Sequence, residues 1–100
     1  MRILTLGTLQ AFWKRQPLAE IPLRTWFCVT KAAEWKHSAE VVATFNTASI
    51  LPNDRIVFNI HGNGFRLVTS INYSRGTVFV KFIGTHAEYD RINAATISLS

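Results

Sequence analysis

The sequence holds a single cysteine, Cys28, in 100 residues. A lone thiol closes no internal disulfide, which argues against a secreted, stapled scaffold and for a reducing cytoplasm. Cys28 lies between Phe27 and Val29 in a helical pattern and reads as non-catalytic. With histidines only at 37, 61 and 86, no close metal-ligand pairing exists and zinc is not expected. Nor is there a glycine-rich phosphate loop, because His61-Gly62-Asn63-Gly64 reads as a hairpin turn, so no cofactor is expected. No apolar run approaches the roughly 20 residues that span a bilayer, and Thr5, Gly7, Thr8 and Gln10 are too polar for a signal-peptide core; neither a membrane partner nor a targeting segment is expected. Acidic residues are also few, six against eleven Lys and Arg, giving a net charge of +5. That balance favours a polyanionic partner, and because the cations are scattered, folding must assemble any binding surface.

What the chain does have is apolar mass. With 48% hydrophobic and 12% aromatic residues in a length suited to one core, a single folded domain over residues 1–100 is expected. Ile3, Leu4 and Leu6 suggest a short first strand ended by Gly7. Thr8 would cap a helix carrying Leu9, Phe12 and Trp13, stopped by Pro17. Pro22 then fits the first turn of a second helix, with Leu23, Trp26, Phe27 and Thr30 on one stripe, running to about Trp35. Trp13, Trp26 and Trp35 read as core or interface aromatics. Ser38 would cap a third, shorter helix with Val41, Val42 and Phe45 inward, and residues 46–54 read as a connector.

From Arg55 the period changes to two, predicting a three-stranded antiparallel meander over Arg55 to Ile60, Phe65 to Tyr73 and Thr77 to Gly84. The fold class is therefore α+β, with an N-terminal strand and helices packed on one face of an antiparallel sheet. Two-residue turns at Asn63-Gly64 and Arg75-Gly76 would set His61 opposite Arg66 and Asn59 opposite Val68, with Ser70 opposite Lys81 and Asn72 opposite Phe79. Ile56, Phe58, Ile60, Phe65, Leu67, Ile71, Tyr73, Val78, Val80 and Phe82 would then face the helices. Asn59, His61, Arg66, Ser70, Asn72 and Lys81 would face solvent, with Val57, Val68, Phe79 and Ile83 among them, a surface suited to nucleic acid.

The block Asn59 to Val68, followed by Ile71-Asn72-Tyr73 and then Phe82-Ile83-Gly84-Thr85-His86-Ala87-Glu88-Tyr89-Asp90-Arg91-Ile92, resembles the HigB family of bacterial toxins. Gly84 to Asp90 is the most specific part, and Phe12-Trp13, Pro22-Leu23, Trp26, Trp35 and Phe45 extend the likeness over nearly the whole chain. Lys81 stands where Arg is frequent in the family, and Ser38 where Pro is frequent. The resemblance implies a RelE-like fold of the RelE/ParE type. It also implies an endoribonuclease, an mRNA interferase acting on messages under translation by the ribosome. A helix-turn-helix antitoxin of the HigA type would neutralise it, and DNA would be reached only through that antitoxin complex.

Metal-free RNA cleavage needs a base for the ribose 2′-OH, an acid for the departing 5′-oxygen and positive charge at the phosphorane. Arg66 supplies a fixed fork of donors suited to phosphate, and His86 is a candidate base or acid at neutral pH. Tyr89 is a candidate for stacking or proton transfer, and Lys81 for charge or, deprotonated by neighbouring cations, for a base. Thr85 would cap one helical turn that gathers His86, Tyr89 and Asp90, with Asp90 orienting a neighbour or pairing with Arg66 or Arg91. Asn59, His61, Ser70, Asn72, Arg75, Asp90 and Arg91 complete the candidate RNA contacts. Two other readings stand beside the nuclease: within the fold that the resemblance implies, a ParE-like toxin that arrests growth at DNA gyrase without cutting, and, for the basic sheet face, an RNA-binding module without cleavage.

Overall fold

The computed structural model describes residues 1–98, which build one five-stranded sheet with helices on one face. In chain order come β1 (Arg2–Leu4), α1 (Leu6–Arg15), a short 3₁₀ turn (Pro17–Ala19), α2 (Glu20–Ala32), α3 (Ser38–Thr44), β2 (Ser49–Leu51), β3 (Arg55–Ile60), β4 (Phe65–Asn72), β5 (Thr77–Thr85) and α4 (His86–Tyr89). The strand order is β1-β5-β4-β3-β2. β1 runs parallel to β5 and every other pairing is antiparallel. This is the α+β class expected, but the meander is flanked by two short edge strands. β2 was hidden in the sequence because three residues, two of them exposed, carry no alternation to detect.

The helical stripes pack as their spacing dictates. Leu9 and Phe12 of α1 and Leu23, Trp26 and Thr30 of α2 are buried against the sheet. Edge-to-face aromatic pairs lock the layers: Trp26 meets Phe58 at 5.4 Å, Phe12 meets Phe65 at 5.3 Å and Phe45 meets Phe58 at 5.2 Å. Helix boundaries differ from expectation at three points. α1 begins at Leu6 behind Thr5, whose φ is 67°, so Thr8 lies inside the helix and caps nothing. α2 ends at Ala32 rather than Trp35, because Ala33 turns extended and the Met1 amino group takes the carbonyls of Lys31 and Ala33. Released from the helix, Trp35 turns inward, where its Nε1 donates to the Thr44 hydroxyl at 3.2 Å. α3 starts at Ser38, with His37 in the cap position and no side-chain cap bond.

Both hairpins close with four-residue loops instead of two. In the first, left-handed backbone falls on His61 (φ 54°) and Gly62 (φ 61°), and the Gly64 N–H closes the turn on the His61 carbonyl at 3.0 Å. In the second, the Asn72 side chain accepts from the Arg75 N–H and the Ser74 hydroxyl, and Gly76 takes the positive φ. Each pairing therefore moves by two residues. Asn59 faces Arg66 rather than Val68, Val57 faces Val68, Ser70 faces Phe79 rather than Lys81, and Asn72 faces Thr77 rather than Phe79. His61 is lifted out of the ladder into the loop and faces no partner. A shift of two preserves which face each side chain takes, so the division into an apolar and a polar face survives the register error.

One irregularity does change faces. Val68 pairs with Phe82 but Thr69 pairs with Val80, which leaves Lys81 as the extra residue of a β-bulge. Beyond the bulge the alternation is inverted. Phe82 joins the outer cluster and Ile83 the helix-side core, the reverse of the expected assignment.

Candidate active site

The outer face is assembled in rows across the sheet. Asn59, Arg66 and Gly84 form the row nearest the β3–β4 loop; Val57, Val68 and Phe82 the next; Arg55, Ser70 and Phe79 a third. Gly84 is there for a steric reason. A Cβ at that position would lie 2.6 Å from the Phe82 ring and 3.1 Å from a Glu88 carboxylate oxygen. Its bareness lets the Phe82 ring lie directly over the Gly84 backbone, in the row that carries Arg66. Arg66 is half-buried, and its one side-chain hydrogen bond among the described residues goes to the carbonyl of its neighbour Phe65 at 3.3 Å. Most of its donor fork is thus unspent.

Two residues past Arg66's partner, Gly84, the chain enters α4, a single turn held by a full capping box. The Thr85 hydroxyl accepts from the Glu88 N–H at 3.2 Å, and the Glu88 carboxylate accepts from the Thr85 N–H at 2.8 Å. That second bond, helped by Arg15 at 3.6 Å and opposed by partial burial, holds the Glu88 carboxyl below its ordinary value. The His86 N–H reaches the Gly64 carbonyl at 3.3 Å, tying the turn to the β3–β4 loop. His86 Nδ1 lies 3.1 Å from Asp90 Oδ2, and both side chains are exposed. Among the described residues Asp90 pairs with His86, and with neither Arg66 nor Arg91. Tyr89, one turn from His86 on the same helical surface, packs half-buried into the outer cluster around Val57, Val68 and Phe82.

The other expected residues scatter. Lys81 is on the outer face, but its ammonium leans 5.5 Å over the Phe79 ring, toward the opposite end of the strands from His86. His61 is exposed in the loop, with its ring 6.1 Å from Phe65. Ser70 stands mid-sheet, Arg91 is exposed just past α4, and Asn72 is consumed by its turn. From Arg66 to Asn72 the strand covers about 20 Å, so Arg75, in the β4–β5 loop, belongs to the far end of the molecule. Among the described residues no three His, Cys, Asp or Glu side chains gather closely enough to hold a metal ion.

Sequence reasoning missed what covers the rest of the outer face. The segment after α4 crosses toward β3, where Ile92, Ala94 and Ile97 pack on Val57 and Val68. Arg55 donates to the carbonyl of Ala94 at 3.1 Å and to that of Ile97, while Asn53 Nδ2 donates to Ala95 at 3.1 Å. This strap covers Val57 on β3 and Val68 on β4, and leaves Arg66, Ser70, Phe79 and Lys81 half-exposed on either side of it. Its apolar residues are spaced too irregularly to announce a partner, and Arg55 reads in sequence as an ordinary strand cation.

The stretch of chain that builds this corner falls within a known protein family. The family model for the HigB toxin, a RelE-like toxic component of a toxin–antitoxin system, matches residues 19–92, which include Arg66 and all of α4. The chain belongs to the HigB toxin family. A curated relative, the mRNA interferase HigB of Escherichia coli O6:H1 (strain CFT073), is 26% identical over 94 residues, covering 92% of this chain and 91% of the relative. As the toxic component of such a system, a HigB toxin has an antitoxin as partner. Among the described residues no helix is long and apolar enough to cross a membrane.

Proposed function

We propose that this HigB-family toxin is an endoribonuclease that cleaves mRNA at the corner formed by Arg66 and α4, and that the whole chain serves as one toxin domain. The observation that carries the reading is the juxtaposition of a half-buried arginine with most of its donor fork unspent and an Asp-paired histidine at the same end of one open sheet face. The name of the Escherichia coli relative, an mRNA interferase, points the same way.

In this reading a ribose-phosphate lies across the Asn59–Arg66–Gly84 row. Arg66 binds the scissile phosphate through two parallel N–H donors and stabilises the charge that grows on its oxygens in the phosphorane. His86, with its ring fixed by Asp90, exchanges a proton with the reacting ribose or leaving group, and the 2′-oxygen displaces the 5′-oxygen to leave a cyclic phosphate and a 5′-hydroxyl. Tyr89, wedged against Phe82 and Val68, offers the edge on which a base rests. Lys81 serves as a phosphate contact further along the strand, since its ammonium lies toward Phe79. Asn59, His61, Ser70 and Arg91 flank the path of the RNA, while Asn72 acts through the shape of its turn. The message is presented on the ribosome, no metal is required because Arg66 and Lys81 supply the positive charge, and a HigA-like antitoxin neutralises the toxin in the cytoplasm.

The test is to map mRNA 5′ ends on translating ribosomes with purified wild type, Arg66→Ala and His86→Ala. Arg66→Ala is expected to slow cutting about 10²- to 10³-fold, the loss typical of one transition-state donor, while antitoxin binding persists. Wild-type cutting by a variant carrying both Arg66→Ala and His86→Ala would overturn the site. Growth arrest with intact messages and failed DNA replication would overturn the nuclease itself in favour of a gyrase-directed toxin.

A further inference from the structure

A second cluster of positive charge lies at the other end of the sheet. The β4–β5 loop, the start of β1 and the connection between α2 and α3 enclose an open cleft of about 450 Å³ that gathers Arg2, Lys36 and Arg75, with Tyr73 on its wall and Glu34 at its rim. The four ion pairs found among the described residues involve none of these three cations. Three other cations are spent: Arg15 and Arg24 pair with Glu88 and Glu20, and Arg55 is committed to the strap. Three exposed cations from segments far apart in sequence, converging on one concavity against a single carboxylate, make a strong local positive potential.

We propose that this cleft binds the phosphodiester backbone of RNA outside the nucleotides that are cut. The proposal deepens the nuclease reading by extending the RNA path from the Arg66 corner along the β5 side of the outer face to the far end of the strands. The strap covers Val57 and Val68, so the track runs on the β5 side of it, past half-exposed Lys81, Phe79 and Ser70, to the arginine-bearing loop. The roughly 20 Å between the two ends exceeds what one nucleotide bridges, so the cleft reads backbone at a distance and contributes affinity rather than chemistry.

Binding rather than cutting is measured, so that failure here is separate from failure of the nuclease. The probe is a single-stranded 2′-O-methyl RNA, uncuttable because its 2′-oxygens are blocked and long enough to span both ends of β4, titrated by fluorescence anisotropy over a salt series. Lys36→Ala/Arg75→Ala is expected to lower the slope of log affinity against log salt by about 1.4, or about 0.7 for each phosphate that is no longer neutralised. Lys14→Ala/Lys31→Ala removes the same charge from exposed helical positions outside the cleft and is expected to leave the slope near wild type. All four side chains are exposed, so both variants fold, as circular dichroism would confirm. An unchanged slope in the cleft variant, or equal losses in both variants, would overturn the proposal. If that unchanged slope came with weakened antitoxin binding, the cleft would instead be a protein-docking surface.

Discussion

The two faces of the sheet are built from the same strands but follow different rules. The helix side is closed: Ile56, Phe58, Ile60, Leu67, Ile71, Val78 and Val80 are all buried beneath α1, α2 and α3. The outer side has a small cluster around Val57 and Val68, a strap over that cluster, and polar side chains left half-exposed on either side of it. The first face carries stability through apolar packing, and even holds the Trp26 indole N–H and the Thr30 hydroxyl buried without a hydrogen-bond partner among the described residues. The second trades apolar area for groups that can meet a ligand, which is where a functional residue can be changed without unfolding the protein.

Truncation should break this contrast most visibly on the closed face. Phe58, 1% exposed, touches both Trp26 and Phe45, so Phe58→Ala is expected to cost about 3–5 kcal/mol in denaturant unfolding. Arg66→Ala on the open face should leave the same unfolding midpoint almost unmoved, since its only described side-chain bond is to its neighbour's carbonyl. A large loss of stability there would erase the distinction between the faces.

The strap gives an intermediate case. Arg55→Ala removes charge-assisted bonds to the carbonyls of Ala94 and Ile97 and is expected to cost about 1.5–3 kcal/mol. Faster hydrogen exchange over residues 92–97, with β4 still protected, would show that the strap opens as a unit; uniform exchange would show instead that it is part of the main cooperative core.

The smallest effect concerns α4. Thr85→Ala should cost about 1 kcal/mol through loss of the cap and should slow RNA cutting through looser placement of His86. Because the folded Glu88 carboxyl sits below its ordinary value of 4.5, chiefly through the Thr85 N–H, its contribution to stability is full above that value and disappears as pH falls through the lower folded one. Glu88→Gln should therefore flatten the acid limb of the stability profile, and an unchanged limb would show that the capping bond adds nothing in solution.

Most of the fold was legible from periodicity. The helical stripes of Leu9 and Phe12 and of Leu23, Trp26 and Thr30, and the alternation from Arg55 onward, are local patterns that name their own element and buried face. Loop length was not legible. Asn63-Gly64 has the residues of a two-residue turn, yet pairing Ile60 with Phe65 puts two large apolar side chains opposite one another in the core and moves the left-handed backbone to His61 and Gly62. At the site, the Thr85 cap and the grouping of His86, Tyr89 and Asp90 follow from spacing alone, and the place of Arg66 survives because its register error was even.

What the sequence determined by itself is therefore the strongly periodic part of what depends on neighbours a few residues apart: the longer elements, their buried stripes, and the one-turn helix with its cap. Tertiary structure decided the bulge at Lys81, which exchanges the faces of Phe82 and Ile83, and the strap that commits Arg55 to carbonyls about forty residues away. It also decided which cations meet in one cleft. The physical reason is common to all three: each depends on which distant segment supplies a partner, and a backbone carbonyl or a neighbouring strand leaves no mark in the residues it binds.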